Sequence, residues 1–324
     1  VLVNVASGRD EPGARPVALF ILGLGRSGTS ALARALSLCG GGLPAALLGA
    51  TSSNPRGNWE PRAAIHLNEA ILHRHGTSAY DPTLRFMDEG TNDAEERAAH
   101  VSKIKVFLST LPDCPFVVIK EGRITLLSDL WFEAAHSVGL NVGVVIALRH
   151  PQEVIASTAA HIKASPELTS ALWLKYTLLA ERNTRDVPRV FVDYANLLED
   201  WRREMSRISS QLRVDFSKRD DGAIDEFLSR DLHHQRHHGP VPEAFGTDWS
   251  SVVYEALSAA ARDEHWDGSA LDHVLEAFRA SERGFRTAFD DFRGQFSGVL
   301  FRPPVMKLIL GGFAMANRRS GTWA

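Results

Sequence analysis

The sequence predicts an α/β chain: a central parallel sheet flanked by helices in three layers, with a mainly helical C-terminal extension. Three observations carry this expectation. Short apolar runs at 17–22, 115–120, 142–148 and 189–193 alternate with segments of helical periodicity. Nearly continuous Val/Ile/Leu runs suit strands buried on both faces. The first run breaks into a glycine-rich turn, Gly23-Leu24-Gly25-Arg26-Ser27-Gly28, and a helix follows with Leu32, Ala35, Leu36 and Cys39 on one face. Charged residues collect where two later runs end, as Lys120-Glu121 with Arg123 and as Arg149-His150. Open α/β sheets bind ligands at the C-terminal ends of their strands.

The turn after the first run reads as an anion cradle. Backbone N–H groups converge there and the helix dipole adds positive potential. Gly25 and Gly28 are expected to let the backbone bend and approach a ligand, Arg26 supplies a fixed positive charge, and Ser27, Thr29 and Ser30 add hydroxyls. The spacing from Gly23 to Gly28 nearly fits a Walker A loop, which needs Lys at position 29; Thr stands there instead. The expected fold is therefore P-loop-containing and nucleotide-hydrolase-like, without the Lys that grips a triphosphate. The plainer reading of the same turn is an ordinary βα connection.

Residues 1–15 read as a flexible lead-in, 16–218 as the α/β core, and 219–324 as a mainly helical extension completing the same domain. The triplet Gly40-Gly41-Gly42 stops the first helix. A loop over 43–60 ends in Asn54-Pro55-Arg56-Gly57-Asn58-Trp59-Glu60, and Pro61 suits the first turn of a helix through Ile65, Leu67, Ile71 and Leu72. Glu60 stands beside that helix start, where taken alone it would simply complement the dipole. His66, His73 and His75 follow at spacings that do not make a metal set, so capping or exposed roles are expected. After a loop over 76–92, a charged helix runs from Asp93 to Leu111 and stops at Pro112.

Lys120 ends the next strand, where it pairs with Glu121 or faces a ligand. A helix from Leu126 to Ala135 leads to the strand that ends at Arg149, and Pro151 starts a helix that carries Ser157 about two turns in. A long helix spans Glu167 to Arg182. After the fourth strand, Leu197, Leu198, Trp201, Met205, Ile208 and Leu212 form one packing stripe. The run His233-His234-Gln235-Arg236-His237-His238 has i,i+4 histidine pairs, but no carboxylate or Cys set completes a zinc site and Gly239-Pro240 ends any helix. Phe278, Phe285, Phe289, Phe292 and Phe296 recur at near-heptad spacing on a helix over 269–296, which suits packing onto the body or a homodimer partner. The apolar segment 304–316 contains Lys307 and paired glycines, which make it a poor membrane span; core or partner packing is expected.

Composition narrows the function. The chain has 324 residues and a net charge of −3, ample for a sizeable core. No basic block stands out to neutralise phosphates, which argues against nucleic-acid binding. Two cysteines, Cys39 and Cys114, exclude a disulfide framework and a Cys-based zinc site, and with no visible signal peptide they favour a cytoplasmic setting. No apolar run reaches the ~20 residues of a transmembrane segment. Val at position 1 fits a trimmed chain or a piece of a longer one.

Two segments in order sharpen the reading. Gly25-Arg26-Ser27-Gly28-Thr29-Ser30 is followed, after a later strand, by Arg149-His150-Pro151-Gln152-Glu153-Val154-Ile155-Ala156-Ser157. The chain resembles the PAPS-dependent sulfotransferases, in which a P-loop-like segment holds the 5′-phosphosulfate and an Arg-x-Pro-x-x-Val-x-x-Ser segment holds the 3′-phosphate. The bacterial branch adds Asn-Pro-x-Gly-x-Trp-Glu, present here as Asn54 to Glu60, and Lys-Asp-Pro-Arg, which here reads Lys120-Glu121-Gly122-Arg123 and departs at two positions. The resemblance covers about residues 17–215.

The resemblance implies PAPS as donor, PAP as product, a hydroxyl-bearing acceptor and no required metal. It implies phosphate contacts from Gly25 through Ser30 and from Arg149 and Ser157, with Arg26 and Lys120 at the reacting group. Cytosolic relatives carry a catalytic His two residues after the Lys; here that position is Gly122. Glu60 is therefore the first choice for general base and Glu121 the second. The acceptor stays open among carbohydrate, glycolipid, small-molecule and protein hydroxyls. Two rivals stand beside this expectation: an ATP-dependent small-molecule kinase with an irregular P-loop, and a non-catalytic module that binds PAP.

Overall fold

In the computed structural model, residues 15–51, 54–84, 86, 93–228, 239–241, 243–281, 292, 294–295, 298 and 302–319 are described. Four strands make one parallel sheet: β1 (Val17–Leu22), β4 (Phe116–Lys120), β5 (Asn141–Leu148) and β6 (Arg189–Asp193), in the order β4-β1-β5-β6. Two short strands, β2 (Leu47–Leu48) and β3 (Glu60–Pro61), pair antiparallel outside it, with Leu48 opposite Glu60.

Side chains alternate across the sheet, as the two-residue strand period requires. Ala18, Phe20 and Leu22 point into one apolar layer with Ile119, Val144 and Ile146. Leu19 and Ile21 point into the other with Val118, Val145 and Val192. The first layer is covered by α2 (Arg62–Arg74), α3 (Ala94–Leu108), α4 (Ser128–Ser137) and α6 (Pro166–Arg182). The second is covered by α1 (Thr29–Leu38), α7 (Tyr194–Glu199), α8 (Trp201–Leu212) and α9 (Asp221–Phe227). This is the three-layer α/β fold with a parallel sheet that the periodicity predicts. Both apolar faces of β1 are fully covered.

Several connections differ in detail from the sequence reading. Pro61 stands just before α2 rather than in its first turn. A 3₁₀ turn, Gly122–Leu126, intervenes before α4. The stripe from Leu197 to Leu212 is split into α7 and α8, because Asp200 (φ −145°) leaves the helix and its carboxylate accepts the N–H of Arg203. Pro151 opens α5 (Pro151–Ile162), as Pro at a first helical turn should.

Beyond residue 219, α10 (Trp249–Ala261) and α11 (Gly268–Ala280) place Val253, Leu257, Val274 and Phe278 in the first apolar layer. Phe292 is buried there too, while Phe285, Phe289 and Phe296 lie outside the described residues, as does the His233–His238 run. The apolar segment near 304–316 forms α12 (Pro303–Arg319), which packs against α2 through a face that buries Leu310 and Ala314. Leu308, Phe313 and Met315 remain exposed on it. No helix among the described residues is long and apolar enough to cross a membrane.

Candidate active site

The turn from β1 to α1 bends at Gly23, Arg26 and Gly28, which have φ of 125°, 74° and 89°. A Cβ on Gly23 would stand 2.8 Å from the Ala147 carbonyl oxygen, and one on Gly28 2.4 Å from the Tyr194 ring, so neither position accepts a side chain. Gly25 sits with Arg26 in the turn that the Ser27 N–H closes on the Leu24 carbonyl at 3.3 Å; its φ is not positive and the space around it is open. The positive φ angles of Gly23 and Arg26 add to the bend expected at Gly25 and Gly28. Gly25 also lines a cavity.

The first turn of α1 has neither a side-chain cap nor an acidic residue. Its N–H groups and positive dipole end therefore face the turn without a cap or an acid from the helix itself. Ser27 and Thr29 are buried beneath it. The Ser30 hydroxyl donates to the Asn58 carbonyl at 3.2 Å and accepts from Asn54 Nδ2 at 3.1 Å. It fastens the 54–60 loop to the cradle.

Arg149, at the end of β5, reaches that cradle. Its Nη1 donates to the Arg26 carbonyl at 3.0 Å, its Nε pairs with Glu153 at 2.7 Å, and its guanidinium lies 4.8 Å from the Tyr194 ring centroid. Ser157, two turns into α5, accepts from Arg26 Nε at 2.9 Å. The structure thus brings Arg26, Arg149 and Ser157 together across more than 120 residues. Burial lowers the Arg26 pKa, and the like charge of Arg149 lowers it further. A partly desolvated Arg26 guanidinium beside a like charge is an environment that favours an anion.

Arg26 and Arg149 border two hollows, whereas Ser157 lines neither. A small one of about 100 Å³ is lined by Gly28, Ser30, Arg149 and Tyr194, with Arg56 and Phe227. A larger one of about 370 Å³ is lined by Gly25, Glu60, Lys120 and Arg123, with an apolar wall that includes Met306 and Leu310 of α12. Arg26 and Thr29 line both, so they stand at the partition.

Lys120 leaves the end of β4 nearly buried, and its Nζ donates to Glu60 Oε1 at 2.5 Å and to the Asn58 carbonyl at 3.1 Å. The pair is Lys120 with Glu60, not Lys120 with Glu121. Glu121 is fully buried on the other side of the strand end, where Asn68 and Arg123 donate to its carboxylate. Burial raises its pKa despite Arg123. Glu121 lines neither hollow, and its carboxylate is engaged by Asn68 and Arg123, so it holds the 3₁₀ turn. Arg123 also pairs with Glu69, and these two carboxylates overcome its desolvation and hold its pKa well above the usual value.

Sequence reasoning passed over Arg56, Glu153 and the Asp193-Tyr194 pair. Arg56 stood inside the quoted 54–60 motif. Asp193 ends β6, so the strand-end rule that marked Lys120 and Arg149 would have marked it too.

No family model and no curated protein sequence matches this chain. Among solved structures it is similar to the sulfotransferase domain of the Synechococcus PCC 7002 olefin synthase, at 16% identity, over 82% of this chain and 96% of that one, with a TM-score of 0.39. A likeness this distant assigns neither activity nor ligand.

Proposed function

We propose that this chain is a sulfotransferase that moves a sulfuryl group from PAPS to a hydroxyl of an acceptor. The observation that carries the proposal is the convergence of Arg149 and Ser157 on Arg26 of a cradle that has Thr at position 29. A donor with a 5′-phosphosulfate and a separate 3′-phosphate needs two anion grips and no lysine for a γ-phosphate. A nucleotide triphosphatase needs the reverse.

In this reading Arg26 and the α1 amides take the phosphosulfate, and Arg149 and Ser157 take the 3′-phosphate. The acceptor occupies the larger cavity. Its oxygen attacks sulfur as the bond from sulfur to the bridging phosphate oxygen breaks, and PAP leaves with that electron pair. Lys120 Nζ donates to the bridging oxygen, and Glu60 takes the acceptor proton. The apolar part of the cavity wall supports an acceptor with a nonpolar portion next to its hydroxyl.

The test is calorimetric binding of PAP, ATP and ADP to the wild type and to Arg149→Ala. Tight PAP binding, weakened at least tenfold by Arg149→Ala and with little ATP binding, is the expected result. Mg²⁺-dependent ATP binding without a preference for PAP refutes the proposal and favours a kinase. PAP binding with no transfer to any hydroxyl acceptor leaves a PAP-binding module.

A further inference from the structure

Away from the two hollows, His75, Glu96 and His100 place three ligand atoms within 4.8 Å of one another. His75 follows the last turn of α2, while Glu96 and His100 occupy one face of α3 at i,i+4 spacing. His100 is only 4% exposed, and neither of its ring nitrogens has a hydrogen-bond partner. Nε2 of His75 is likewise buried and without one. The two rings stand edge to face with centroids 6.1 Å apart, and His100 Nε2 lies 3.7 Å from Glu96 Oε1, too far for a hydrogen bond.

Buried polar atoms are nearly always satisfied, so an orphaned nitrogen on each of two neighbouring imidazoles calls for a missing partner. A water could serve one or two of them. A cation serves lone pairs from both rings and the carboxylate together. Ligands about 2.0–2.1 Å from a tetrahedral ion lie roughly 3.4 Å apart, so modest side-chain rotation closes the set. Arg74, which pairs with Glu96, is largely exposed and free to turn toward water, and the carboxylate has a second oxygen.

The geometry points to a divalent transition-metal site, of the Zn²⁺ class, built from His75, Glu96 and His100 with a water at the fourth position. Two imidazoles and one carboxylate match that ion's preference. The site ties the end of α2 to the start of α3. The chain between them carries Ala79 and Tyr80 to the wall of the larger cavity, so the metal would fix that wall. The helix-internal spacing of His66, His73 and His75 hides the site, because two of its ligands lie on the next helix.

The experiment uses the full chain, stripped with a chelator, in a background where His233, His234, His237 and His238 are alanine. Zn²⁺ is titrated by calorimetry and Co²⁺ by its visible d–d absorption. One equivalent of Zn²⁺, tetrahedral Co²⁺ bands and a raised Tm are expected. His75→Ala and Glu96→Gln each should weaken binding more than about tenfold. Near-UV circular dichroism confirms that these variants fold, and Glu96→Gln keeps the local shape. No Zn²⁺ uptake in the background chain, or equal uptake by the two variants, overturns the site. Neither outcome bears on PAP binding, which is measured separately.

Discussion

Replacing Asp193 by Asn should make the protein more stable at pH 8 and change its pH dependence in a calculable way. Asp193 closes β6, is 5% exposed, accepts the Ala195 N–H at 2.8 Å and the Tyr254 hydroxyl at 3.1 Å. Burial pushes its pKa from 3.8 up to about 6, with the two hydrogen bonds opposing and Glu153 adding to the rise. The folded chain therefore keeps this proton over a range where the unfolded chain has lost it. The stability it contributes is full below pH ~4 and is lost as pH rises through ~6. The gap corresponds to about 3 kcal/mol at pH 8, of which about 1.4 kcal/mol is lost between pH 5 and pH 8. An Asn amide can accept from Ala195 and donate to Tyr254 without carrying a charge. Urea unfolding of both proteins at pH 5, 6, 7 and 8, with equal m-values, measures the difference. The wild type should fall behind the variant by about 1.4 kcal/mol over that range. A difference that does not change with pH refutes the reasoning, because it would mean that Asp193 ionises alike in both states.

Glu60→Gln should lower kcat by about 10²–10⁴-fold while PAP affinity stays within about twofold, as steady-state rates and calorimetry would show. Full turnover in that variant moves the base elsewhere and leaves the donor reading intact. Gly28→Ala should cost about 2–4 kcal/mol in urea unfolding, from a left-handed φ of 89° and a Cβ pressed 2.4 Å from the Tyr194 ring. A cost under about 0.5 kcal/mol would mean that the turn relaxes freely.

Much of the sheet was legible because its strands are buried on both faces and so read as unbroken apolar runs. Val190, Phe191 and Val192 announce β6 as clearly as Phe20 and Ile21 announce β1. The cradle was legible because a turn between a buried strand and a helix has few residue choices. What pairs with what was not. Lys120 had a charged neighbour one residue away, yet a strand end points successive side chains to opposite sides. Lys120 therefore meets Glu60, sixty residues earlier, and Glu121 turns to Asn68. The closure of the larger cavity by Met306 and Leu310 was equally hidden, since no local pattern reports which surface a distant amphipathic helix returns to.

The sheet order has a consequence for how the chain is made. β1 lies between β4 and β5, with Phe20 opposite Ile119 on one side and Val144 on the other. During synthesis it emerges first and has no strand to pair with until residues 116–148 follow. Closing so long a loop costs only slightly more than closing a short one, about 0.6 kcal/mol per doubling, but contacts this distant in sequence form slowly. Until β1 inserts, β4 and β5 each present an open edge, and the nascent chain is most prone to aggregate in that interval. A fragment ending before residue 116 would contain the whole glycine-rich turn and neither of the strands that flank β1.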